Sequence, residues 1–207
     1  MYTLFFSPGA CSLAAHIAII DSGLPYQLRR LKFAENEQQS AEYLKVNPKG
    51  RVPALVTDRG TLTETTAILL FLAQMAPDRK LAPLDDPFTL AKLQGFNSFL
   101  ASTVHVNHAH GRRATRWADE PTAIEDMKRK VPQTMRDAYR LIEDDMLIGP
   151  FVMGEDYSIA DPYLFVMSSW LKGDGVDIAE FPRVKAHYER MLARASVEKA
   201  LADEAAS

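Results

Sequence analysis

The chain has 207 residues, which at about 150 residues per domain makes one large or two small domains, and its 47% hydrophobic and 25% charged residues are those of an ordinary globular protein rather than a disordered one. A formal charge of −3, from 24 basic and 27 acidic residues, argues against general binding to nucleic acid or to an anionic membrane surface. No apolar run reaches the length of a membrane span and the N-terminus lacks a secretory progression, so a cytoplasmic location is expected; the single cysteine, Cys11, excludes an intrachain disulfide and a cysteine-rich zinc site.

Residues 1–6 are apolar and β-prone, Ser7-Pro8-Gly9 breaks them, and residues 11–22 have helical spacing until Gly23-Leu24-Pro25 stops them. Residues 26–33 read as a second strand, with Tyr26 and Leu28 on one face and Gln27, Arg29 and Leu31 on the other. A polar loop leads to a short helix over 40–46. Asn47-Pro48-Lys49-Gly50 then turns the chain into a strand over 52–57, which Asp58-Arg59-Gly60 folds back into Thr61-Leu62-Thr63 as a hairpin. Glu64 opens an apolar helix that ends before Pro77. The order β-α-β-α-β-β-α within the first 77 residues is a compact α/β unit with a right-handed first crossover.

Residues 78–87, with prolines at 83 and 87, read as a linker, and strand signals vanish beyond them. Residues 88–117, 122–148, 158–172 and 181 to the C-terminus have helical spacing. Pro132 is expected to kink or divide the second of these, and residues 196–206 to form a peripheral helix. Ser158 and Asp161 have the spacing of a capping box, a structural feature that satisfies free N–H groups at a helix start.

Cys11 falls where a strand ends and a helix begins. Free backbone N–H groups and the positive end of the helix dipole stabilise a thiolate there and are expected to lower the thiol pKa; a buried, inert thiol is the alternative. Gly9 allows a ligand close to the backbone, and the Ser12 hydroxyl offers one more hydrogen bond.

Three separated motifs, Ser7-Pro8-Gly9-Ala10-Cys11-Ser12, Asn47-Pro48-Lys49-Gly50-Arg51-Val52-Pro53 and Thr63-Glu64-Thr65-Thr66, in this order and followed by an all-helical half carrying Ser158-Ile159-Ala160-Asp161, resemble the glutathione S-transferase family, and within it the bacterial beta class. The resemblance covers essentially the whole chain. It implies a thioredoxin-like α/β domain over residues 1–77 that binds glutathione, a linker over 78–87, and an all-α domain over 88–207 that forms the electrophile site.

The resemblance also implies a cis Val52-Pro53 bond, with the Val52 main chain meeting the cysteinyl part of glutathione. Glu64 would accept from the γ-glutamyl ammonium, and Thr65 with the helix start would hold the neighbouring carboxylate. Threonine stands here where the family more usually has serine. Lys32, Lys49 and Arg51 are the candidate cations for the glycyl carboxylate. His105, in Ala101-Ser102-Thr103-Val104-His105, matches a histidine that approaches the cysteine in the beta class, either as a neutral proton acceptor or as a charged partner of a thiolate.

His105 and His108 share a helix face and His110 does not, so no metal is expected. Arg112, Arg113 and Arg116 either favour an anionic second substrate or pair with the acidic residues after Trp117. The implied activity is conjugation of the glutathione thiol to a small electrophile, with glutathione as co-substrate and a homodimer as the assembly. The alternatives are a glutathione-dependent thiol-disulfide oxidoreductase using Cys11, and a non-catalytic binding protein on the same fold.

Overall fold

A computed structural model describes residues 1–206. Strands β1 (Tyr2–Phe6), β2 (Tyr26–Arg30), β3 (Ala54–Thr57) and β4 (Gly60–Thr63) form one sheet in the order β2-β1-β3-β4. β1 and β2 run parallel, with Tyr2 opposite Tyr26, while β3 and β4 pair antiparallel as the hairpin. Helix α1 (Ser12–Ser22) makes the parallel crossover, and the left-handed Gly23, at φ 70°, ends it.

The short α2 (Ala41–Val46) is capped by the Ser40 hydroxyl, which accepts from the Tyr43 N–H. It covers one sheet face through the small cluster of Leu31, Tyr43, Val52 and Ala54. Helices α1 and α3 (Thr65–Met75) pack together on the other face, joining the large core through Leu4, Leu55, Ile68, Leu69 and Leu72. The sheet is thus thioredoxin-like, and a helical region follows it.

That region differs from the reading by spacing at three places. The stretch expected as one helix over 88–117 is α4 (Pro87–Phe99), a π-helical turn (Leu100–Val104) and α5 (His105–Arg112), after which the helix breaks at Arg113. Asp86 caps α4 by accepting from the N–H groups of Phe88 and Thr89. The long α6 (Pro121–Leu141) runs undivided through Pro132. The stripe of Val131, Met135, Ala138 and Tyr139 stays buried on both sides of the proline, so core packing outweighs the missing N–H.

The C-terminal segment is two helices, α8 (Pro182–Leu192) and α9 (Ala195–Ala206), with α7 (Ala160–Ser169) before them. Helix α9 is not peripheral: it packs on α1, burying Val197, Ala200 and Glu204. Its Glu204 carboxylate accepts the Gly9 N–H at 2.9 Å, and the imidazole of the fully buried His16 lies 3.5 Å from both Asp203 and Glu204. A tie across 195 residues is invisible to local periodicity. The described residues contain no helix long and apolar enough to cross a membrane.

The capping box forms as expected. Asp161 is fully buried and accepts from the Ser158 N–H at 2.7 Å and the Ser158 hydroxyl at 3.1 Å. It also accepts from the Val152 N–H at 2.8 Å and lies 3.0 Å from His187 Nε2, so it pins three chain segments to the start of α7.

Candidate active site

Two adjoining cavities lie between the sheet domain and the helices, and Cys11, Arg51, Val52, His105, Ala109 and Arg116 line both. The smaller, about 170 Å3, also meets Pro53, Glu64, Thr65 and Tyr163. The larger, about 470 Å3, opens toward Gly9, Phe33, Arg112, Arg113 and Trp170.

Cys11 sits on the turn immediately before α1, where the sequence places it, and is part-buried. Its electrostatics reverse the expectation. Desolvation raises the thiol to about 11, outweighing a hydrogen bond with Thr65 and the charge of Arg113. The protonated Sγ donates to the Val52 carbonyl at 3.3 Å, across the 41 residues that separate them. The helix-start effect is real but local, and burial by neighbours from elsewhere in the chain exceeds it.

The Val52-Pro53 bond is cis. Arg51 is positioned from its backbone: its carbonyl accepts from the Tyr43 hydroxyl and from the Asn47 amide, each at 2.6 Å. Asn47 also accepts the Lys49 N–H, which closes the Asn47-Pro48-Lys49-Gly50 turn.

Glu64 precedes α3 with φ 71° and ψ 125°, a conformation that a residue with a Cβ rarely adopts and that costs about 1–3 kcal/mol. Its side chain makes no capping bond to the start of α3; the carboxylate bonds the Lys49 ammonium instead. Thr65, the first residue of that helix, is buried. Glu64, Thr65 and the start of α3 thus stand together on the smaller cavity.

Of the three candidate cations, only Arg51 faces the cavities. Lys32 is tied to Glu35 at 3.0 Å on the surface, and Lys49 holds Thr63 and Glu64. Ser12 is a second correction. It is fully buried, accepts the Ser7 N–H at 3.2 Å and donates to the Ser7 carbonyl at 3.3 Å, so it locks the turn and lines neither cavity.

His105 follows the π-helical turn directly, and such turns re-aim the side chains after them. Burial, followed by His108 and the arginines Arg113, Arg51 and Arg116, pushes its pKa down to about 4. Of the two forms left open, the depressed pKa favours the neutral imidazole. His108 stacks on Trp170 with centroids 4.2 Å apart and bonds Asp174 at 2.8 Å, while His105 meets the same indole edge-on at 5.1 Å. His110 turns away onto Trp117.

Sequence reasoning missed Trp170 and Tyr163. Trp170 Nε1 donates to the Gly9 carbonyl at 2.9 Å and so braces the turn that carries Cys11. Nothing in its local pattern separates it from a helix-end aromatic.

Known proteins resemble this chain in sequence and in fold. Residues 1–74 match the family described as the glutathione S-transferase N-terminal domain. A crystal structure of a glutathione transferase homologue from Sulfitobacter with bound glutathione is 48% identical and superposes with a TM-score of 0.95 over 99% of this chain and 98% of that one. A bacterial beta class glutathione S-transferase from Sphingomonas chungbukensis is 35% identical with a TM-score of 0.85 over 98% of each chain. The glutathione S-transferase GST-4.5 of Xanthomonas campestris is 32% identical over 96% of both chains, and the disulfide-bond oxidoreductase YfcG of Escherichia coli is 27% identical over 97% of this chain and 94% of its own.

Proposed function

Because the chain belongs to the glutathione S-transferase family, we propose that it joins the sulfur of glutathione to a small electrophile, with residues 1–77 binding the tripeptide, 78–87 linking, and 88–207 supplying the electrophile wall. The observation that carries this reading is the meeting of the two cavities at Cys11 and His105, with Glu64 and Thr65 in the smaller one. A peptide thiol anchored by its γ-glutamyl end at Glu64-Thr65 extends along Val52 and brings its sulfur to that junction. The glycyl carboxylate then lies toward Arg51.

The chemistry follows from the protonation states. Neutral His105 accepts a hydrogen bond from the glutathione thiol, the arginines around the cavity favour its ionisation through their field, and the proton leaves to solvent. When the ligand N–H takes the Val52 carbonyl, the Cys11 S–H is released to donate to that thiolate. The thiolate attacks, a carbon–sulfur bond forms, and the leaving group departs with its electron pair. A thiol raised to about 11 is protonated near neutrality, which favours Cys11 as a donor over Cys11 as a nucleophile.

Cys11→Ala and Cys11→Ser decide between conjugation and disulfide exchange. In the favoured reading both variants keep aryl-halide conjugation within about tenfold, the value of one hydrogen bond. Abolished conjugation, with a glutathione adduct on Cys11 of the wild type by mass spectrometry, supports the oxidoreductase reading, which the kinship with YfcG also favours. A homodimer, proposed on family grounds, is checked by light scattering.

His105 sets a pH expectation. With its pKa near 4 it stays neutral across pH 5.5–8, so the conjugation rate follows a single ionisation, that of the glutathione thiol, with no step near 6.5. His105→Asn lowers kcat by about tenfold, the value of one hydrogen bond, and leaves the profile's shape unchanged. Stability moves in the corresponding sense. Between pH 6.5 and 4 the unfolded chain holds a proton on this residue that the folded chain does not, so stability falls on acidification through that window. The Asn variant flattens the fall; an unchanged slope in urea unfolding contradicts the depressed pKa.

A further inference from the structure

The larger cavity has an unusual charge balance for a protein of net charge −3: Arg51, Arg112, Arg113 and Arg116 all line it, and no carboxylate does. Among the described residues none of these four guanidinium groups has a carboxylate partner within 4.0 Å; Arg113 lies 5.8 Å from the centre of the Phe33 ring, its one aromatic contact. Of the acidic residues that follow Trp117, Asp119 and Glu120 form no ion pair with these arginines within 4.0 Å among the described residues, and Glu125 and Asp126 pair with Lys128 and Arg129 on their own helix. The arginines also repel one another, and Arg116 is depressed by burial and by the charges of Arg113 and Arg51. Four like charges held together without a counter-charge are costly to the free protein. A planar anion relieves that cost.

We propose that the second substrate of this site is a small electrophile bearing a carboxylate, held by Arg112, Arg113 and Arg116 with its reactive carbon turned toward Cys11 and His105. This rests on the transferase reading above and names its substrate class. The forked guanidinium matches a carboxylate in two parallel hydrogen bonds. Trp170, Phe33 and Ala109 supply apolar wall for an unsaturated or aromatic body. Glu64, the acidic residue of the smaller cavity, keeps the opposite charge at the far end, so an anionic electrophile and the ammonium of glutathione are drawn to different places. In the reaction with an aryl chloride the glutathione sulfur bonds the ring carbon, chloride leaves with the bonding pair, and the thiol proton goes to solvent.

The experiment compares two matched probes on the full-length protein, 4-chloro-3,5-dinitrobenzoate and neutral 1-chloro-2,4-dinitrobenzene, in low salt. Each rate is normalised to the rate of the probe with glutathione alone at the same pH. The normalised kcat/KM is expected to favour the benzoate by at least about tenfold, and the preference to shrink as salt is raised. In the triple variant Arg112→Met, Arg113→Met, Arg116→Met it falls to about one, and Arg113→Lys, which keeps the charge but loses the fork, retains only part of it.

Calorimetry with unreactive 3,5-dinitrobenzoate reads the same site without turnover, and calorimetry with glutathione reads the transferase assignment separately. Wild-type protein that binds glutathione but shows no benzoate preference overturns this proposal and leaves the transferase reading standing. Loss of glutathione binding in the triple variant also overturns it, because the arginines then serve the tripeptide. Benzoate binding without glutathione binding supports the anion site and sinks the transferase reading.

Discussion

Asp161→Ala is expected to lower the unfolding free energy by about 3–5 kcal/mol, the usual consequence of deleting one partner of a buried, hydrogen-bonded charge network. The carboxylate is fully buried, and its removal strands the N–H groups of Val152 and Ser158 together with the His187 imidazole, each an unpaired polar group costing about 1–3 kcal/mol. Against a typical total of about 5–15 kcal/mol this is a large fraction, and it corresponds to a drop of about 10 °C in Tm for a chain of this size. Asp161→Asn, which keeps one acceptor oxygen, is expected to lose about half as much. Urea unfolding measures both, and a loss below about 1 kcal/mol for the alanine variant contradicts the account. The effect reaches the site, because α7 carries Tyr163 and leads into Trp170, whose indole holds the Gly9 carbonyl.

Glu64→Gly separates binding from stability by moving them in different directions. The substitution removes the carboxylate proposed to meet the ligand ammonium, a charge-assisted bond worth about 1.5–3 kcal/mol, so the Kd for glutathione rises by about 10–100-fold. The same change relieves a backbone held at φ 71°, and the gain offsets the entropy cost of glycine, so the unfolding free energy stays level or rises by about 1 kcal/mol. Calorimetry and urea unfolding on one preparation test the pair. Unchanged affinity removes Glu64 from the binding site, and a stability loss above 1 kcal/mol means that the strain is not stored there. Lys49 bonds Glu64 in the free protein, so on the proposed binding mode the ligand ammonium takes its place.

The parts of the site legible in the sequence are those whose chemistry is local. Cys11 at a strand-to-helix turn, proline after Val52, and Glu64-Thr65 at a helix start are each defined by a few adjacent residues, and the structure places all of them on the two cavities. The α/β order of the first domain was legible for the same reason: its turns are written in Gly23, the Asn47-Pro48-Lys49-Gly50 run and the Asp58-Arg59-Gly60 hairpin. Ser12 shows the limit. Its hydroxyl faces either a ligand or its own turn, and only the folded backbone, which buries it against Ser7, decides.

Composition and motif order alone therefore determined the fold class and the family resemblance, and singled out the residues proposed for the reactive corner. Tertiary structure alone decided its electrostatics. The Cys11 pKa is raised because desolvation by burial exceeds the Thr65 hydrogen bond and the charge of Arg113 that favour the thiolate. His105 is neutral because it is buried among cations, and Arg51 joins Arg112, Arg113 and Arg116 around one cavity although some 60 residues separate them in the chain. Backbone turns are encoded by neighbours in sequence, whereas burial and charge depend on neighbours in space, which exist only once the two halves have packed.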